Sequence, residues 1–301
     1  MSSAPSKGGA RRETRAARIF LAPALTLIAV FFVLPVLAGL VMSFTDFDIY
    51  AIGDPSTARL VGFGNYAAVL ANPLFWKALG NTFYFVLVAG PLSVAVSLAA
   101  ALLVNARATR LRGLFRTIYF VPVVTTLVAV AIVWRYLEHP KYGLLNYALS
   151  FVGIGPIDWL GDPRFAMPAI VLLAVWKNFG YNMLIFVAGL ANIPEEQYEA
   201  ARLDGAGWWG QFRNVTLPAL APTFLFVAVI TMLGNFQIFA EPYVMTQGGP
   251  LRATTTVVLL MYEEGFRWWR MGLSAAIAFI LFAIMLAGTF LQLRLTRERA
   301  T

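Results

Sequence analysis

The sequence predicts an all-α protein that crosses a membrane six times, and three observations carry that expectation. Of its 301 residues 59% are hydrophobic and only 13% charged, with a mean hydropathy of +0.72, more apolar surface than a water-soluble domain can bury. The apolar residues come in blocks of more than twenty, where a soluble amphipathic helix would show a stripe recurring every 3.6 residues. Lysine and arginine concentrate in alternate connecting segments, the bias that holds a segment on the cytoplasmic side.

The elements follow in order. Residues 1–18 form a basic leader with five Lys or Arg before Ile19, rich in Ser, Gly and Arg and expected to be disordered. The first apolar block, 19–44, exceeds the ~7–15 residues of a signal-peptide core, which predicts an uncleaved first span. Further spans are expected at 79–104, 115–137, 167–191, 219–240 and 273–293, each long enough at ~1.5 Å per residue for a ~30 Å hydrocarbon core. Together they make a permease domain over 19–294, followed by a tail at 295–301. The leader and the segment from Asn105 to Arg116 hold nine basic residues against one acid, Glu13. Both termini are therefore expected in the cytoplasm. The net charge of +8 is then a matter of topology, and no nucleic-acid partner is expected. The outside segments 45–78, 138–166 and 241–272 carry Trp159, Trp268 and Trp269, which suit interfacial caps. Pro23, Pro35, Pro91 and Pro122 predict kinks packed against protein.

The absences exclude other classes. There is no G-x-x-x-x-G-K-[ST] phosphate loop, so ATP hydrolysis is not expected in this chain. There is no cysteine and a single histidine, His139, so thiolate-bound metals and H-E-x-x-H zinc chemistry cannot be assembled. His139 is read as a surface residue. The spans hold no pair of acids of the kind a proton-coupled carrier uses. The chain is expected not to be an enzyme, with neither metal nor cofactor of its own.

Between the fourth and fifth spans lies a polar loop, 192–218. Pro194 followed by Glu195, Glu196 and Glu199 reads as a helix start, Gly205 and Gly207 as a break, and Trp208 to Val215 as a second short helix. The loop matches E-A-A-x3-G-x9-I-x-L-P through Glu199, Ala200, Ala201, Gly205, Val215, Leu217 and Pro218, with Asp204 inside the run ARLDGA. This resembles the signature loop of binding-protein-dependent importer permeases, and ARLDGA resembles the carbohydrate branch, of maltose, glycerol-phosphate and lactose permease type. The runs VGFGNYAAVL, RGLFRTIYFVP, PIDWLGDP and YVMTQGGPLRATTT resemble landmarks of the same branch.

The resemblance implies a six-helix type I importer permease of a bacterial or archaeal cytoplasmic membrane. It implies a second permease subunit, two ATP-binding cassette subunits carrying ATP and Mg, an extracytoplasmic solute-binding protein docking near Gly248, Gly249 and Pro250, and a carbohydrate substrate. Glu199, Ala200, Ala201, Asp204, Gly205, Leu217 and Pro218 would couple to the ATPase. The chain shows no counterpart of the large periplasmic domain of the maltose permease's longer subunit, so maltose itself is not implied.

Substrate contacts are expected where polar groups fall inside spans. Asn178, Tyr181 and Asn182 share a helix face, as do Thr231, Asn235 and Ile238. Alignment on Glu199 and Pro218 puts Lys177, Asn178, Tyr181, Thr231, Gly234, Asn235 and Ile238 at that family's sugar-contact positions. The other reading of such residues is hydrogen bonding between helices, at about 1 kcal/mol each. Lys177 has three open readings: a pair with Glu241, a cavity-facing cation suited to an anionic sugar, or a place near a helix break. The rival functions are an importer permease for amino acids or phosphate, and an ion-coupled carrier without an ATPase.

Overall fold

The computed structural model describes residues 7–106 and 111–297. Helix α1 (Lys7–Ile28) runs through a short π-helical stretch (Ala29–Val33) into α2 (Leu34–Met42). Pro35 has no amide for the Phe31 carbonyl, and the ladder widens until the Leu34 amide reaches Ala29. The leader departs from expectation: from Lys7 on it is helical, because Ala, Arg and Glu are strong helix formers. Residues 1–6 of the leader, 298–301 of the tail, and Arg107 and Arg110 of the basic connection lie outside the described residues.

Then come α3 (Ile49–Gly53), α4 (Gly64–Ala71), α5 (Pro73–Asn105), α6 (Arg112–Val124), α7 (Leu127–Leu137), α8 (Leu144–Ser150) and α9 (Pro163–Ala191). The chain continues through α10 (Glu195–Leu203), α11 (Trp208–Gln211), α12 (Leu217–Ala219), α13 (Ala221–Phe236), α14 (Ala240–Met245), α15 (Val257–Tyr262) and α16 (Met271–Arg297). Among the described residues four helices are long and apolar enough to cross a membrane: Arg18–Met42, Pro73–Asn105, Pro163–Ala191 and Met271–Arg294. Two bent pairs raise the number to six if each is one span, α6 with α7 at 98° and Trp208–Ala219 with α13 at 67°.

The bent pairs correct two expected spans. The third is not one helix: Thr125 and Thr126 take extended backbone in a run of β-branched residues, Val123 to Thr126, that crowds a helix. The fifth starts helical at Trp208, breaks at Leu220 and ends at Phe236, four residues short of the expected 240.

Two compact units divide the chain. One holds residues up to Ala71 with Glu263–Phe279. Within it the Asn65 amide donates to the carbonyls of Ser43 (2.9 Å) and Thr45 (2.7 Å), and Arg270 pairs with Glu264 at 2.9 Å. The other unit holds Asn72–Tyr262 and the rest of α16. Its centre is α9 against α5, where Phe85, Ala89, Ile170, Leu173 and Ala174 form one buried cluster and Leu98, Ala101, Met183 and Phe186 another. Small residues let helices approach in a membrane. At Gly180 an added Cβ would overlap the Tyr119 carbonyl oxygen, so only glycine permits α9 to lie this close to α6. The outer segment before α9 is pinned by buried Asn146, whose amide donates to the Ile157 carbonyl (2.8 Å) while its oxygen accepts from the Trp159 indole (3.0 Å).

Candidate functional site

Helices α5, α9 and α13, with the turn after α13, enclose a cavity of about 540 Å³, within the ~300–1,000 Å³ usual for small-molecule sites. Asn178, Tyr181 and Asn182 line it from α9, and Thr231, Gly234 and Asn235 from α13. These residues meet because α9 buries its apolar face against α5, which turns positions 178, 181 and 182 toward α13. Ile238 lies beyond the end of α13 and still reaches the wall.

The polar groups divide into two kinds. The Asn182 amide donates to Thr231 Oγ1 at 3.0 Å, an interhelical bond between α9 and α13, so part of Thr231 is structural. Asn178 and Tyr181 have no hydrogen-bond partner among the described residues, and Tyr181 is 50% exposed. Asn235 Nδ2 and Ser93 Oγ are buried with their hydrogen-bonding capacity unused. Those two atoms have almost no accessible surface, so Asn178 and Tyr181 are the polar side chains that the wall leaves open to pair with a ligand. Amides, a hydroxyl and a phenol supply donors and acceptors without charge.

Lys177 does not line this cavity. Its Nζ donates to the carbonyl oxygens of Pro122 (2.8 Å) and Thr125 (2.9 Å) at the α6–α7 break. These bonds place Lys177 at the helix break, and Glu241 is close enough to act on it through space. Sequence reasoning missed the α5 wall, formed by Phe85, Ala89 and Ser93, the turn residue Gln237 and Glu241 of α14 as lining residues. A lone serine in an apolar run gave little signal, and Glu241 was assigned to an outside segment.

The second feature is the hairpin of α10 and α11. Pro194 precedes α10 as its N-cap, with Glu195 and Glu196 in the first turn, where the helix dipole favours acids. The turn closes through Gly205 at φ +80°, a conformation that costs a side-chain-bearing residue roughly 1–2 kcal/mol, and the Ala206 amide reaches back to the Ala201 carbonyl at 2.8 Å. Arg202 pairs with Glu195 at 3.1 Å and approaches Glu199 at 3.8 Å. Tyr198 OH meets Thr216 Oγ1 at 3.0 Å, and the Gln211 amide donates to the Ala206 carbonyl at 2.9 Å. Glu199, Ala200, Asp204, Gly205 and Pro218 are exposed, Ala201 and Leu217 half-buried. Leu203 at 90% exposure and Trp208 at 70% extend this face with apolar surface.

Comparison with known proteins places these features in context. Residues 93–300 match the family model of the binding-protein-dependent transport system inner membrane component. The lactose transport system permease LacF of Rhizobium radiobacter is 36% identical, over 93% of this chain and 94% of its own length. The arabinooligosaccharides permease AraP of Bacillus subtilis is 33% identical, over 92% and 87%, and the trehalose/maltose permease MalF of Thermococcus litoralis 33%, over 96% of both chains. The fold matches a crystallised bacterial ABC transporter involved in import of the acidic polysaccharide alginate, at a TM-score of 0.79 and 21% identity over 96% and 98%.

Proposed function

Because the chain belongs to the family of binding-protein-dependent transport system inner membrane components, we propose that it is the permease subunit of an ATP-driven importer for a sugar or sugar derivative. Family members are multi-pass transport components of the inner membrane and not enzymes. The observation that carries the substrate class is the cavity, where Asn178 and Tyr181 present unpaired, uncharged hydrogen-bonding groups beside Asn182, Thr231 and Asn235. A sugar's hydroxyls need both donors and acceptors and its ring faces stack on aromatics, which an amide-and-phenol wall provides. Relatives named for lactose, arabino-oligosaccharide and trehalose/maltose transport support the same class. Thr231, Gly234 and Ile238 complete the contact surface, while Lys177 serves it from behind.

In this reading a second permease chain closes the path, and two ATP-binding cassette subunits carry ATP and Mg. A solute-binding protein delivers the sugar from outside, and both termini lie in the cytoplasm. The α10–α11 hairpin seats on an ATPase through Glu199, Ala200, Ala201, Asp204 and Gly205, with Leu217 and Pro218 leading into α13. A hairpin tied by the Tyr198–Thr216 and Gln211–Ala206 bonds can pass a rigid-body movement. Since the hairpin leads through α12 and the bend at Leu220 into α13, which carries Thr231, Gly234 and Asn235, movement at the hairpin reaches the cavity through consecutive elements.

The test is Gly205→Val in the assembled importer, measured as uptake of labelled lactose, trehalose, maltose and arabino-oligosaccharides. A β-branched residue cannot take the positive φ of Gly205, so uptake should fall by about tenfold or more while the amount of complex in the membrane stays unchanged. Full uptake by the variant would remove the hairpin from the coupling path. Uptake of amino acids instead of sugars would overturn the substrate class.

A further inference from the structure

We propose that the cavity is anion-excluding, with Glu241 as its charge filter, so that the imported glycan is uncharged. This rests on the transport reading above and adds to it the class of sugar.

Two ionisable side chains stand by this cavity, Lys177 buried and Glu241 half-buried. Among the described residues that line the cavity Glu241 is the only one with a charged side chain. It stands in the first turn of α14, directly after the turn that carries Gln237 and Ile238. Burial raises the pKa of the Glu241 carboxyl, and the positive charge of Lys177, close enough to act through space, opposes that rise and favours the carboxylate. The lysine is buried, with its ammonium held by the Pro122 and Thr125 carbonyls behind the wall. The two charges therefore make a dipole whose negative end faces the ligand space. An ionisable group within a membrane protein is costly and is kept where it serves the path.

A carboxylate in a partly enclosed, low-dielectric space repels an incoming anion strongly, because little water lies between them to screen it. A uronate or sugar phosphate entering the cavity would meet that carboxylate with no free cation on the wall to offset it. A neutral glycan meets it as a hydrogen-bond acceptor, alongside Asn178, Tyr181 and Asn235. The same arrangement withdraws the one lysine that, by sequence, could have served an acidic sugar.

The test measures the sign of the field without knowing the sugar. This chain has no cysteine, and a Cβ at Gly234 meets nothing within 4 Å, so Gly234→Cys places one thiol in open space on the cavity wall. The importer, assembled with its partner subunits in lipid nanodiscs, is treated with a trimethylammonium-bearing and a sulfonate-bearing methanethiosulfonate. Each rate is normalised to that with a small free thiol, after subtracting labelling of the same complex without the new cysteine. The cationic reagent should react at least about tenfold faster than the anionic one. Glu241→Asp should keep that ratio, and Glu241→Gln should bring it to unity or below, since it leaves Lys177 uncompensated.

Equal or faster reaction of the anionic reagent in the protein that retains Glu241 overturns the proposal, whether or not the Gln variant assembles. An unchanged ratio in Glu241→Gln does the same, and neither result touches the transport reading. A thiol that neither reagent reaches overturns the cavity as a path, and this proposal with it.

Discussion

Glu138 ends α7 with a carboxyl that is 1% exposed and has no hydrogen-bond partner on either oxygen. Burial pushes its pKa from 4.5 up to about 8, because an isolated charge there loses its hydration. The folded chain thus holds a proton that the unfolded chain releases at ordinary carboxylate pH. Between about 4.5 and 8 the native state binds more protons than the unfolded one, so stability falls as pH rises through that window, by up to about 1.4 kcal/mol per unit. The thermal midpoint in detergent should drop from pH 5 to pH 8.5, and Glu138→Gln should flatten that slope. An equally steep slope in the variant would place its origin elsewhere. Nothing in the sequence marks this residue, which reads there as one of several outside acids; its burial comes from the packing around it. Gly205 is the opposite case, since its place in a spaced motif announced a turn, and the turn needs the positive φ that the structure shows.

Among the elements, the α6–α7 break stands apart, because a lysine replaces the backbone donors that a continuous helix would supply. The carbonyls of Pro122 and Thr125 face the Lys177 ammonium, a side chain inserted where the ladder opens. Lys177→Met keeps the length and apolar stem but removes the donors. The Pro122 oxygen keeps the Thr125 hydroxyl as a donor at 2.6 Å, so the part-buried Thr125 carbonyl is the one left short, at a cost of about 1–3 kcal/mol. The variant should lose several degrees of thermal midpoint in nanodiscs and show faster proteolysis at the break; an unchanged midpoint would mean that this carbonyl finds another donor. The break was legible only in part: Pro122 predicts a kink inside 115–137, but nothing there marks Thr125 and Thr126 as extended, since apolarity alone does not distinguish a kinked helix from a bent pair. The α10–α11 hairpin was legible nearly to the residue, because proline, acids and glycines at fixed offsets specify a helix start and a turn by local chemistry. The α5 wall was not, since Ala89 and Ser93 look like ordinary packing residues until α9 and α13 are set against them.

At the scale of the whole molecule, composition and block length sufficed for the membrane class and for six crossings, counting each bent pair as one. Those are properties of solvation rather than of tertiary contact. The sidedness rests on charge: nine basic residues against one acid in the first two inside segments, while the outside segments balance their seven basic residues with nine acids. The rule acts during insertion, when short basic loops are retained on the cytoplasmic side. It predicts the α10–α11 hairpin inside and the loop before α15 outside. Two exposed leucines make the test direct, Leu203 at 90% exposure in the hairpin and Leu251 at 80% in that loop. In a chain without cysteine each can carry a single thiol. A membrane-impermeant maleimide applied to intact spheroplasts should label Leu251→Cys and leave Leu203→Cys unmodified. Inside-out vesicles should give the reverse. Labelling of Leu203→Cys from outside would invert the topology, and a hairpin on that side could not meet an ATP-hydrolysing subunit in the cytoplasm.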